Sequence, residues 1–145
     1  MPDGFTWENR LTWSDVYATG NEKVDEQHRT IFNITNTFID AHLRGESKKI
    51  LGEMLDFLIQ YTVEHFAYEQ KLMVETDYFD YENHKKYHED FKAAVNKLKK
   101  EFDESGASDE LTRILCDTII KWIVQHIQHE DFKFVKQLRK ERKNP

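Results

Sequence analysis

Residues 84–88 read His84-Lys85-Lys86-Tyr87-His88, and an earlier segment reads His65-Phe66-Ala67-Tyr68-Glu69. In each segment, two side chains that can bind a metal ion stand four residues apart. That spacing puts both side chains on the same face of an α-helix. Four-helix bundles build metal sites in their cores from such inward-facing groups. The two segments therefore predict an all-α fold with a metal-binding core.

Two further segments carry groups of the same kind. The complete set of candidate metal ligands is His28, His65, Glu69, His84, His88, His126 and Asp131. Taken singly, each of these histidines is better explained as an ordinary core or boundary residue. Burying five imidazoles and two carboxylates together without a metal ion, however, would cost much free energy. Because the set is too large for one tetrahedral zinc ion, it favours two metal ions that share bridging carboxylates.

Apolar residues recur at helical spacing along four stretches of the chain. The 145 residues contain only five Gly and two Pro, which favours a few long helices with short connections. We therefore predict an up-down-up-down four-helix bundle, with Gly45 ending the first helix and Ser47 and Ser108 capping the second and fourth. The predicted helices cover residues 25–43, 47–75, 81–102 and 108–138.

Residues 1–22 are predicted to form an N-terminal arm. They contain Phe5, Trp7, Trp13 and Tyr17, and a flexible tail would not need these rings, so we expect the arm to be ordered and packed on the bundle. No break in composition follows the arm. The chain is therefore predicted to form one domain over residues 1–145.

Composition limits the partners and the compartment. Hydrophobic residues make up 39% of the chain and charged residues 33%, as in ordinary soluble proteins. The net charge of −6 disfavours nucleic acid as the main partner. No apolar run is long enough for a signal peptide or a membrane helix. With Cys116 as its single cysteine the chain cannot form an intramolecular disulfide, so we expect a cytoplasmic protein.

The ligand types narrow the choice of metal. Imidazole suits zinc, copper, iron and nickel, and bridging carboxylates favour dinuclear iron or manganese. The Glu-x-x-His pairs of oxygen-activating di-iron bundles are missing, so we expect ligand binding or modest redox change. If Glu69 and Asp131 both bridge two ions together with one oxo or hydroxo group, the five histidines divide as three and two. One ion then keeps a single free position, which suits a diatomic ligand.

The chain resembles the hemerythrins, especially the single-domain bacterial hemerythrins (bacteriohemerythrins), over roughly Leu11 to Leu138. The resemblance is carried by Asp25-Glu26-Gln27-His28, His65-Phe66-Ala67-Tyr68-Glu69, His84-Lys85-Lys86-Tyr87-His88, and Trp122-Ile123-Val124-Gln125-His126 with Asp131. It implies a non-haem di-iron centre that binds O2 reversibly, with Glu69, Asp131 and an oxo or hydroxo group as bridges. The implied ligands are His84, His88 and His126 for a six-coordinate iron, and His28 and His65 for the five-coordinate iron where O2 binds.

One implied pair of ligands does not fit an ideal helix. His126 and Asp131 are five residues apart, which is about 140° around an α-helix. Glu130, four residues after His126, would face the site better. The spacing in the family points to Asp131, so we predict a local distortion of the fourth helix, such as a π-bulge. The two histidines left over, His42 and His129, are interpreted as surface or supporting groups.

The resemblance also implies apolar walls around the O2 position. Ile123, one turn before His126, should lie over the free position. Further candidates are Phe32, Phe66, Trp122 and Trp13. Ordinary core packing explains each of these five residues equally well. Walls of this kind would keep water away from the metal and slow its oxidation.

The implied function is storage, transport or delivery of O2, with an unknown protein as recipient. A second hypothesis is an O2 or redox sensor acting through a partner protein, and a third is a di-iron peroxidase or a nitric oxide-handling protein. No signalling domain accompanies the bundle in this sequence, which favours the carrier. We also find no separate acid–base pair or nucleophile, so we do not expect an enzyme.

Overall fold

The computed structural model describes residues 13–15 and 17–143. The predicted packing of Phe5 and Trp7 therefore lies outside the described residues. The described part of the arm contacts the first helix. Trp13 and Tyr17 both pack edge-on against Phe32, with ring centroids 5.3 and 4.7 Å away. Two of the four predicted arm rings thus cover one face of the bundle.

The fold is an up-down-up-down four-helix bundle, as predicted. Each of its four rods is one continuous helix. The fourth rod is α-helical at both ends and π-helical in the middle. The elements are α1 (Glu22–Leu43), α2 (Ser47–Glu75), α3 (Tyr81–Ser105), α4 (Asp109–Trp122), the π segment (Ile123–Asp131) and α5 (Phe132–Lys143).

The helix ends follow local chemistry. The side chain of Asn21 accepts a hydrogen bond from the backbone N–H of Val24, so α1 begins three residues earlier than predicted. Ser108 caps α4 through the N–H of Leu111, as predicted. The predicted Ser47 cap is wrong, because Ser47 is the first helical residue and its hydroxyl lies 3.2 Å from Nδ1 of His42. Gly45, at φ 76°, adopts the left-handed conformation that ends α1.

The candidate ligands lie between two apolar clusters. The larger cluster fills the main part of the bundle and includes Leu55, Phe66 and Ile127. The smaller one contains Met73 and Phe134, with Tyr78, Val135 and Leu138. Along α2, Glu69 falls between the two clusters, and so does Asp131 along the fourth rod. The polar site is therefore closed by apolar packing at both ends.

No helix in the described part of the chain is long and apolar enough to cross a membrane.

Candidate metal centre

Seven metal-binding side chains meet inside the bundle. They come from all four rods, and each is at most 4% exposed to solvent. They are the residues that the sequence analysis singled out: His28, His65, Glu69, His84, His88, His126 and Asp131. Because water is excluded from so many polar groups, their mutual arrangement decides what the site can bind.

The ligand atoms form two groups that share both carboxylates. One group contains His84, His88 and His126, and the other contains His28 and His65. Glu69 and Asp131 belong to both. Within each group the ligand atoms all lie within 4.8 Å of one another. Each group could hold one metal ion, and the two carboxylates are common to both groups.

Each carboxylate presents one oxygen to each group. On the three-histidine side, Oδ1 of Asp131 lies 2.9 Å from Nε2 of His84 and 3.1 Å from Nε2 of His126. Oε1 of Glu69 lies 3.1 Å from Nε2 of His88 on the same side.

The second oxygens face the two-histidine group. Oδ2 of Asp131 lies 2.8 Å from Nε2 of His28. Oε2 of Glu69 lies 3.4 Å from Nε2 of His65. All five imidazoles therefore turn Nε2 inward, and the two oxygens of each carboxylate are divided between the two positions.

The inward atoms lack hydrogen-bond partners. All four carboxylate oxygens are unpaired, and so is Nε2 in His28, His84, His88 and His126. Buried polar atoms are rarely left in this condition. Ligand atoms at right angles around an ion, about 2.1 Å from it, are about 3 Å apart, close to the spacings observed here. The unpaired lone pairs and their spacing therefore fit a pair of metal ions.

Electrostatics hold the carboxylates in the form that binds cations. Burial and the charge of Asp131 each raise the pKa of Glu69, but the surrounding imidazoles, His65 first, outweigh both and keep the pKa well below its usual range. Burial alone would lower the pKa of His84, yet Asp131 and Glu69 raise it to about 10. Burial lowers the pKa of His126 to about 4, against the attraction of Asp131. Burial raises the pKa of Asp131 as well, but the imidazoles, His126 first, keep that pKa well below its usual range. A cation entering the site would therefore meet two ionised carboxylates.

The π segment brings Asp131 into the site, and the predicted distortion of the fourth helix is confirmed. A π-helix closes its hydrogen bonds five residues apart, so His126 and Asp131 lie on the same side of the rod. Asp131 is fully buried. Glu130 is only partly buried and lies 3.9 Å from Nζ of Lys133. The distortion spans nine residues, which is longer than a single bulge.

Two of the predicted pocket residues contact imidazoles of the three-histidine group. Phe66 stacks on His88 at 3.9 Å and Trp122 stacks on His126 at 3.8 Å, so both face the three-histidine group. Ile123 is fully buried at the start of the π segment. Phe32 is buried on α1, where it contacts Trp13.

Neither leftover histidine belongs to the metal-ligand groups of the described residues. His42 lies near Ser47 at the far end of α1, and His129 is exposed.

Two glutamines that the sequence analysis did not select contact the ligands. Oε1 of Gln27 lies 2.5 Å from Nδ1 of His65, and Oε1 of Gln70 lies 2.9 Å from Nδ1 of His88. Both glutamines are adjacent in sequence to a candidate ligand, His28 and Glu69 respectively. That adjacency was a weak signal, since sequence alone does not tell which way a glutamine points.

The fold and the site define a class of protein: helical bundles with a buried cluster of imidazoles and carboxylates able to hold metal. The Hemerythrin HHE cation binding domain family matches residues 19–138 of this chain. The chain belongs to the hemerythrin family.

Individual relatives agree with this assignment. A bacteriohemerythrin of Pseudomonas paraeruginosa is 32% identical over 130 residues, which cover 89% of this chain and 82% of the relative. A bacteriohemerythrin of Methylococcus capsulatus is 33% identical over 83% of this chain and 91% of its own length. The myohemerythrin of Sipunculus nudus is 29% identical over 90% and 96%. The crystal structure of a hemerythrin mutant superposes with a TM-score of 0.68 at 28% identity, covering 86% of this chain and 97% of the other.

Proposed function

We propose that this chain binds O2 reversibly at a non-haem di-iron centre and serves in O2 storage, transport or delivery. One observation carries the proposal: Glu69 and Asp131 each turn one oxygen towards the three-histidine group and the other towards the two-histidine group. A pair of ions held in this way has unequal coordination. When bound, the iron pair supplies the two electrons that reversible O2 binding requires.

The unequal coordination proposed for the two ions follows from counting their ligands. An iron held by His84, His88 and His126 would have six ligands: the three imidazoles, one oxygen from each carboxylate and one oxo or hydroxo group. An iron held by His28 and His65 with the same carboxylates and the same group would have five. The open position would therefore be on the side of His28 and His65, and O2 is the diatomic ligand proposed for it.

The surrounding residues exclude water and hold the ligands. Ile123 and Phe66 are buried in the apolar cluster that closes the site at one end. Trp122, which is 9% exposed, lies flat against His126 at the wall of an open groove between α3 and the fourth rod. These residues are proposed to keep bulk water and protons from the centre, which would slow its irreversible oxidation.

The decisive experiment combines iron analysis with absorption spectroscopy. Chain loaded with ferrous iron under anaerobic conditions should contain two irons. It should develop a visible absorption band when O2 is admitted and lose the band when O2 is removed, over repeated cycles. Immediate oxidation that argon does not reverse would contradict the carrier role and favour a sensor or a peroxidase. A preference for zinc over iron in metal-depleted cells would contradict the iron assignment.

We further propose one domain over residues 1–145 acting in the cytoplasm. The proposal is supported by the single continuous bundle of the described residues and by the lone, fully buried Cys116.

A further inference from the structure

Gln27 in the motif Asp25-Glu26-Gln27-His28 has no role in the ligand set. Its side chain reaches from α1 to α2, where Oε1 accepts a hydrogen bond from Nδ1 of His65 at 2.5 Å. Tyr61 holds the backbone of Gln27, because its hydroxyl donates a hydrogen bond to the backbone carbonyl of Gln27 at 3.0 Å. The ring of Tyr61 also stacks on His65, with centroids 5.1 Å apart. Gln27 is therefore held at both its backbone and its side chain.

Gln70 repeats this arrangement one helix further on. It follows Glu69 on α2 and reaches to α3, where its Oε1 accepts from Nδ1 of His88 at 2.9 Å. Phe66 stacks on the same imidazole at 3.9 Å and only 3° from parallel. For each imidazole, an aromatic ring on α2 thus restrains the plane of the ring, and a glutamine binds Nδ1 at its edge.

We infer that Gln27 and Gln70 are positioning residues that orient His65 and His88 and join the ligands of α1, α2 and α3 into one frame. Each glutamine is the chain neighbour of one ligand and the hydrogen-bond partner of another on the next helix. Gln27 thereby links His28 to His65, and Gln70 links Glu69 to His88. The inference rests on the metal ligation proposed above.

Proton positions explain why an amide serves here. Nε2 of His65 and His88 must offer a lone pair to the metal, so the neutral ring carries its proton on Nδ1. The amide oxygen accepts that proton's hydrogen bond and cannot take the proton away. A carboxylate at the same place would also accept, and would increase the basicity of the ring. Either acceptor fixes the ring, whereas an apolar side chain leaves Nδ1–H unpaired in a dry site.

The other three imidazoles lack this support. Nδ1 of His28, His84 and His126 has no hydrogen-bond partner among the described residues. The two glutamines therefore act on one ligand of each ion position, His65 in the two-histidine group and His88 in the three-histidine group.

The test replaces each glutamine by methionine, which keeps the length and removes the acceptor. The matched control is Gln60→Met, at an exposed position of α2 where the side chain donates a hydrogen bond to Glu64 and, among the described residues, does not contact a candidate ligand. Co²⁺ affinity of the metal-free protein is measured by competition with a chelator. We expect Gln27→Met and Gln70→Met each to bind Co²⁺ about 10–100-fold more weakly. Gln60→Met should bind like the parent, and Gln27→Glu and Gln70→Glu should recover most of the affinity.

A second readout addresses orientation directly. In the zinc-loaded protein with ¹⁵N-labelled histidine, the Nδ1–H protons of His65 and His88 should exchange slowly. Gln27→Met should remove the protection of His65 alone, and Gln70→Met that of His88 alone. Parental affinity and protection in the methionine variants would overturn the inference, and so would a loss that glutamate does not restore. A parent chain that binds no Co²⁺ would instead contradict the proposed metal centre itself.

Discussion

The oxygens of Asp131 contact histidines from three different rods. Oδ2 meets His28 of α1, while Oδ1 meets His84 of α3 and His126 of the π segment. Glu130, the preceding residue, has the same chemistry but lies outside this contact network, next to Lys133. At the scale of single residues, backbone geometry therefore brings only one of two adjacent acids into contact with the imidazoles.

Substitution at these adjacent acids should have opposite outcomes. Asp131→Asn removes a charge and a bridging oxygen, so metal content should fall from two ions to one or none, with affinity reduced by more than about 100-fold, beyond a supporting residue's effect. Glu130→Gln should keep two ions. Metal analysis after dialysis measures both. If the Glu130 variant lost metal and the Asp131 variant kept it, the bridge would have been assigned to the wrong acid.

Substitution of Ile123 tests whether the apolar wall keeps water from the proposed metal centre. Ile123→Ala should accelerate the irreversible oxidation of the iron-loaded protein in air at least severalfold, because a cavity beside the site admits water. The matched control is Ile119→Ala, one turn earlier and equally buried. Both variants should lose about 2–5 kcal/mol of stability. Equal oxidation rates in the two variants would show that Ile123 serves core packing alone.

The thiol of Cys116 should be unreactive in the folded protein. Burial, with a smaller contribution from Asp117, raises the pKa of its thiol far above the ordinary range, and the thiolate is the reactive form. Ellman's reagent at pH 8 should therefore leave the native protein unmodified and react with one thiol per chain in denaturant. Rapid stoichiometric reaction of the native protein would contradict this.

At the scale of elements, the π segment reconciles the spacing of the ligands with a continuous rod. α4 supplies buried apolar residues before it and α5 supplies Phe134 and Val135 after it. Each π turn holds about one residue more than an α turn. The extra residue lets a step of five place His126 and Asp131 on one face without breaking the rod.

Single-residue deletions should distinguish the effect of helix register on metal binding from general disruption of the fold. Deletion of exposed His129 leaves a step of four, which suits an ordinary α-helix, so metal affinity should stay within about tenfold of the parent. Deletion of exposed Lys121 in α4 rotates His126 by about 100° relative to the helix before it and should abolish metal binding. Metal titration with circular dichroism compares the two. Equal loss in both would contradict the role given to the π segment.

At the scale of the whole molecule, the bundle encloses a polar centre between two apolar clusters. All four rods contribute candidate ligands, and most of the inward-facing atoms have no hydrogen-bond partner among the described residues. The proposed metal binding would therefore be coupled to folding, because the unfolded chain does not present the assembled site.

Removing the metal should destabilise the whole bundle. At a free metal concentration of about 1,000 times Kd, each bound ion adds about 4 kcal/mol, or roughly 10 °C in Tm for a domain of this size. Scanning calorimetry of metal-loaded and chelator-treated protein measures the difference. The Asp131→Asn variant should gain little Tm on addition of metal. An unchanged Tm in the parent would mean that metal does not bind the folded state preferentially.

The sequence by itself determined the helical rods and the types of residue in the centre. Helical periodicity, few glycines and prolines, and the four-residue steps of His65–Glu69 and His84–His88 are local properties, and local hydrogen bonding enforces them. The tertiary structure alone decided which oxygen faces which imidazole, that Gln27 and Gln70 reach ligands on neighbouring helices, and how long the π segment is. These features depend on the packing of rods distant in sequence. Spacing within one helix specifies a face, whereas only the assembled bundle specifies what that face meets.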